Sequence, residues 1–252
     1  MFDGRFDTVD ASKKDQYIKK YLPEYIRSRK ETSIFYDLLK QLKQGLVSDI
    51  RGLDNLPKGE KLFISRHNTG DDIWKLMVSL DEKIHIVGAE NIHWKDKLLF
   101  GIKQKAMKQL EMLPIRESFS QAVIDDKQNF LTRIPLLERG AHKKILNQDK
   151  NAMIGNLKYI RGIVSTLLDG QNVQIFVDGP WTRIEDDPRY IYLGYGLIAK
   201  QYQRINKQPL PIIPVVFDKK SVIIKQPFSI GNNESKEIIQ KIATEKLNSI
   251  NL

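Results

Sequence analysis

The sequence predicts an α/β fold: a single domain with a central, mostly parallel/mixed sheet flanked by helices, preceded by an N-terminal helical segment. Three observations carry this. Short apolar runs at 61–65 (KLFIS), 84–88 (IHIVG), 112–115 (MLPI), 173–177 (VQIFV), 211–217 (PIIPVVF) and 221–225 alternate with segments of helical periodicity, the pattern of strands connected by crossover helices. The run VQIFV has no charged residue, as expected of a parallel strand covered on both faces. The chain has 252 residues, 41% of them hydrophobic, which suffices for one sizeable core without disulfide or metal support. The expected organisation is a basic amphipathic helical segment over 1–50 and an α/β domain over 51–252, with an insertion at about 120–150.

The elements follow in order. Residues 13–30 are rich in Lys, Arg, Tyr, Ile and Leu, and Pro23 divides them into a short helix, a turn and a second short helix. Over 32–50, Phe35, Leu38, Leu39, Leu42, Leu46 and Ile50 recur at helical spacing. This helix either packs on the core or lies on a membrane surface with Lys40, Lys43 and Arg51 near the headgroups. Asn55 to Gly59 is turn chemistry, and strand 61–65 follows it. Helices are expected at 71–81, 94–110, 153–169, 190–203 and 234–250, the fourth-last of them bearing Lys103, Lys105 and Lys108. Gly170 is positioned to cap the helix over 153–169.

Composition excludes several function classes. The chain has no cysteine, so thiolate nucleophiles, thiolate metal sites and disulfide frameworks are ruled out. It has no stretch of eighteen apolar residues and no apolar signal core in MFDGRFDTVDASKKD, so neither a spanning helix nor standard secretion is expected. There is no Gly-x-Ser-x-Gly elbow, Walker loop or Gly-x-Gly-x-x-Gly turn, and His67, His85, His93 and His142 form no metal-ligand spacing with carboxylates. The net charge of +10 suits a negatively charged partner: nucleic acid, anionic lipid or an acidic carrier protein. No ribonucleoprotein signature supports nucleic acid. Between 200 and 225, Lys200, Arg204, Lys207, Lys219, Lys220 and Lys225 face a single acid, Asp218.

One segment carries chemistry. Strand KLFIS runs into Arg66-His67-Asn68-Thr69-Gly70-Asp71-Asp72. On a regular helix His67 and Asp72 stand about 500° apart and do not align. A turn before the helix lets the carboxylate fold back onto the imidazole, giving a general base with an orienting group and no serine nucleophile. Asp71 is the competing partner, or else the helix cap. Read alone, one His and one Asp are better explained as a histidine that merely caps a strand end.

Other segments resemble, in order, the glycerolipid acyltransferases of the 1-acylglycerol-3-phosphate acyltransferase type. The family's first block is His-x-x-x-x-Asp after a strand; here it is His67 to Asp72. Arg51-Gly52 to Leu56-Pro57 looks like the turn that precedes it. The second block ends a strand with arginine, as Leu113-Pro114-Ile115-Arg116 does. The third, Phe-Pro-Glu-Gly-Thr-Arg, is similar to Phe176-Val177-Asp178-Gly179-Pro180-Trp181-Thr182-Arg183. The fourth, Pro-x-x-Pro-Val, matches Pro211 to Val215. The resemblance spans about 50–230. Three departures stand out: Asp178 replaces Glu with Pro180-Trp181 extra, Arg66 replaces the common Asn, and residues 120–150 lengthen the span between the second and third blocks.

The resemblance implies transfer of a fatty acyl group from acyl-CoA or acyl carrier protein to the hydroxyl of a lysophospholipid such as 1-acylglycerol 3-phosphate, with glycerol 3-phosphate as the alternative acceptor. It implies His67 and Asp72 as the catalytic pair, and Arg116, Asp178, Gly179 and Arg183 at the acceptor. Arginine suits a phosphate because its planar donors pair two oxygens. No metal and no organic cofactor is expected. Expected partners are the acyl donor, the acceptor and an anionic membrane surface, with the protein peripheral on the cytoplasmic face; no nucleic acid is expected. The same features fit a non-catalytic lipid- or carrier-binding protein that keeps the fold.

Overall fold

In a computed structural model of the chain, seven strands among the described residues form one sheet, in the order β1-β7-β6-β2-β5-β3-β4. The structure describes residues 11–26, 33–66, 71–89, 105, 107–115, 157–177, 194–231 and 233–248. The strands are β1 (Asp49–Arg51), β2 (Leu62–Ser65), β3 (Ile84–Ala89), β4 (Leu113–Ile115), β5 (Asn172–Phe176), β6 (Ile212–Asp218) and β7 (Ser221–Ile224). Strands β4, β3, β5, β2 and β6 run parallel to one another. The β6–β7 hairpin is antiparallel, and β1 lies parallel to β7 at the edge. This is the mostly parallel sheet that the strand–helix alternation predicts.

Alternation along each central strand divides the core in two. Leu62 and Ile64 of β2, with Val173 and Ile175 of β5, share one apolar cluster with Ile163, Leu167, Tyr195 and Ile198. Phe63 and Ile213, Val215 and Phe217 of β6 point to the other face and pack with Leu76, Leu80 and Ile84. A strand covered on both faces has no polar side, which is why β2 reads as an unbroken apolar run. The first face is covered by a helix over 157–168 (α4), α5 (Gly194–Asn206) and α6 (Lys236–Asn248). The second carries α3 (Asp72–Ser79), against which α2 (Ile34–Leu42) packs.

Local chemistry sets the helix ends. α1 (Ala11–Tyr21) stops before Pro23, which cannot continue the i→i−4 ladder. The second short helix expected by residue 30 lies largely outside the described residues; 22–26 form a turn. Ser33 caps α2, its hydroxyl accepting from the Tyr36 N–H at 3.0 Å. α4 ends at Gly170, whose φ of 81° supplies the left-handed C′ position. Gly170 N donates to Leu167 O and Gln171 N to Thr166 O, closing the last turn in the Schellman manner.

Two expectations need correction. The helix expected over 32–50 ends at Leu42, and residues 49–51 are the edge strand β1. The helical spacing of Leu46 and Ile50 arises from a 3-10 turn (Gln44–Leu46) and a strand whose apolar residues happen to continue the stripe. Within α2, Tyr36 is the buried aromatic, while Leu38 and Leu42 are exposed. Pro214 lies within β6, an interior strand. It is tolerated because β7 ends opposite it, where Lys225 N donates to Pro214 O, and pairing resumes only at Phe228 across from Ile212. That break is where a ladder accepts a residue without an N–H. Lys225 is buried rather than part of a basic surface, and burial lowers its pKa.

Candidate active site

The sheet brings the ends of the resembling segments to one edge. β2, β4 and β5 are parallel, so their carboxyl ends lie at the same side of the sheet. β2 and β5 are neighbours, with Ser65 opposite Phe176, and Val177 N donates to Ser65 O at 3.0 Å. The segments that follow these strands therefore begin side by side at that edge, where ligands of open parallel sheets gather. His67 follows β2, Arg116 follows β4 and Asp178 follows β5. These three, together with Gly179, Arg183 and residues 68–70, lie outside the described residues.

Asp72 is described, and its setting is unusual for a carboxylate. It is the first residue of α3 and only 1% of its side chain is exposed. Its Oδ1 accepts a 2.8 Å charge-assisted hydrogen bond from Lys75 Nζ, one turn along the same helix. The Lys75 side chain is 6% exposed, and its ammonium also lies 5.8 Å from the centroid of the Phe217 ring on β6. The helix N-terminus adds the positive end of its dipole. A carboxylate buried this deeply needs a cation or hydrogen-bond donors in place of water, and Lys75 is one such partner.

The competing aspartate plays a different part. Asp71 is exposed, makes no side-chain cap to α3, and lies 3.6 Å from Lys43 Nζ. Of the two adjacent acids, then, Asp72 points inward and Asp71 outward. Lys43 follows α2 directly, and Lys40 Nζ donates to Leu80 O just beyond α3. These two contacts fasten α2 to both ends of α3. Lys75 was missed in the sequence reading; its signal was the Asp72-x-x-Lys75 spacing, which puts acid and base on one helical face.

A second polar cluster lies at the opposite, amino edge of the sheet. Lys61 Nζ contacts Glu82 Oε2 at 2.6 Å, and Asn172 Nδ2 donates to the same oxygen. Lys83 pairs with Glu111 at 2.6 Å, both buried. His85, fully buried, sits between Glu111 O at 2.9 Å and Gln171 Oε1 at 2.7 Å. Burial lowers the His85 pKa, against the raising effect of these two hydrogen bonds. This cluster closes the sheet and stands away from the strand ends that lead into the resembling segments. No group of three or more His, Asp or Glu side chains among the described residues could hold a metal ion.

Among solved structures, the chain is similar to the crystal structure of the 1-acyl-sn-glycerophosphate (LPA) acyltransferase PlsC from Thermotoga maritima. That match has a TM-score of 0.48 and 12% sequence identity, covering 84% of this chain and 74% of that one. No protein-family model matches the chain, and no curated protein does.

Proposed function

We propose that the protein is an O-acyltransferase that moves a fatty acyl group from a thioester, acyl-CoA or acyl carrier protein, to the hydroxyl of a lysophospholipid such as 1-acylglycerol 3-phosphate. The observation that supports this best is the burial of Asp72 at the start of α3, directly after the strand β2 that leads into His67. A cysteine-free chain whose His-x-x-x-x-Asp motif follows the carboxyl end of a parallel strand suits direct attack on an already activated acyl group, which needs a base but no covalent intermediate.

In this reading His67 takes the proton of the acceptor hydroxyl as its oxygen attacks the thioester carbonyl. Asp72 orients the imidazole and stabilises its protonated form. The tetrahedral oxyanion collapses, the carbon–sulfur bond breaks, and the leaving thiolate receives the proton from the imidazolium. Arg116 and Arg183 hold the acceptor phosphate, with Asp178 and Gly179 shaping the turn beside it. Membrane association is part of the same proposal. No helix among the described residues is long and apolar enough to cross a membrane. Ile34, Leu38 and Leu42 form an exposed apolar stripe along α2, Ile34 being 87% exposed and Leu42 71%. Such a stripe with Lys40 and Lys43 beside it suits an anionic lipid surface on the cytoplasmic face.

The test is product analysis. Purified protein is incubated with acyl-CoA or acyl-loaded carrier protein, and with 1-acylglycerol 3-phosphate or glycerol 3-phosphate in anionic vesicles. Formation of the new ester by mass spectrometry, lost in His67→Ala, is the expected result. Folded protein that forms no ester with any pair refutes the reading and leaves a binding protein of the same fold.

A further inference from the structure

We propose that Lys75 is a positioning residue for the acyl-transfer reaction, acting through Asp72. This deepens the reading above and rests on it. An orienting carboxylate has to present one oxygen to the imidazole in a fixed direction. Lys75 holds the other: its Nζ lies 2.8 Å from Oδ1. The clamp is itself constrained on three sides. The i,i+3 spacing sets the distance along α3, the Phe217 ring flanks the ammonium at 5.8 Å, and the Lys75 carbonyl accepts from Ser79 Oγ at 2.6 Å. Both side chains are almost wholly shielded from solvent.

Stability alone does not explain this pair. A buried ion pair roughly breaks even against apolar side chains of the same volume, and α3 already docks through Leu76, with Leu80 just beyond its end. What an apolar substitute cannot supply is an ionised carboxylate with a fixed plane at the start of the helix. The two lysines at the end of α2 have other partners: Lys43 pairs with the exposed Asp71 and Lys40 is committed to the Leu80 carbonyl. β7, which also packs against α3, contributes no charged side chain.

The test compares Lys75→Met, which keeps the stem and removes the charge, with Lys75→Arg, which keeps the charge. In steady-state transfer assays Lys75→Met is expected to lower kcat by about 10- to 100-fold, the scale of a small misplacement of a reacting group, with KM for donor and acceptor within twofold. Lys75→Arg restores most of the loss. A folded Lys75→Met with kcat within twofold of the parent, or with the loss confined to KM, overturns the proposal. Should Lys75→Met not fold, Lys75→Gln, which retains an N–H donor, takes its place with the same expectation. Denaturation provides an independent readout: Asp72→Asn added to Lys75→Met should raise the unfolding midpoint by removing a buried charge that has lost its ammonium, and a lower midpoint overturns the pairing itself. A parent that transfers no acyl group overturns the functional reading and this role with it, while the midpoints still report whether the two side chains are coupled.

Discussion

Replacing Lys83 with methionine tests the physical reasoning behind the sheet's amino edge. Lys83 precedes β3 and Glu111 precedes β4; their 2.6 Å contact ties the two strands before they pair, with both side chains almost completely buried. Methionine preserves most of the stem, so the change removes one charge and little packing. The Glu111 carboxylate stays buried without its ammonium, which costs about 3–5 kcal/mol when one partner of such a pair is deleted. At about 2–4 °C per kcal/mol for a chain of this size, the unfolding midpoint should fall by roughly 6–20 °C. Circular dichroism against temperature and urea reads it. Adding Glu111→Gln to Lys83→Met should recover more than half of the loss, because an amide needs no counter-ion. A Lys83→Met midpoint within a degree or two of the parent, or a double variant worse than the single, refutes the reasoning.

Other consequences follow from the same geometry. Burial pushes the Tyr36 hydroxyl up to about 12, so its contribution to stability is complete below pH 10 and is lost as pH rises from 10 towards 12. Urea midpoints across that range should fall less steeply in Tyr36→Phe. His85 has the opposite sign: burial holds it below its ordinary 6.5, so stability declines as pH falls below 6.5, and His85→Gln should flatten that decline in parallel urea titrations. Gly52 has φ 78°, and a Cβ there would lie 2.0 Å from Ile224 O; Gly52→Ala should cost about 2–3 kcal/mol in equilibrium unfolding, whereas Gly59→Ala, with open space around it, should cost clearly less.

The central parallel strands were legible because both of their faces are buried, so each reads as a short, largely apolar run. β2 and β5 show this most plainly. Boundaries at the edge were not legible. β1 is three residues long and exposes one face, so Ile50 looked like another turn of the preceding helix. The stripe on α2 misled for a related reason: periodicity reveals that a helix has an apolar face but not which way the face turns, and Tyr36 rather than Leu38 and Leu42 meets the rest of the protein. At the candidate site, Asp72 stood out through its spacing from His67. Lys75 did not, since a lysine three residues along a helix ordinarily reaches water; only the packing of α3 against β6 and β7 shows that this one is enclosed. The same holds for Lys61, Lys83 and Lys225, which in sequence count towards a basic surface and in the fold are buried.

The most direct measurement is thiol release from acyl-CoA and from acyl carrier protein, with and without 1-acylglycerol 3-phosphate, for the parent, His67→Ala and Asp72→Asn, each confirmed folded. The account predicts acceptor-dependent release by the parent, none above background in His67→Ala, and a loss of several orders of magnitude in Asp72→Asn, as when a base loses the group that sets its tautomer. Release that survives at the parental rate in His67→Ala would contradict it.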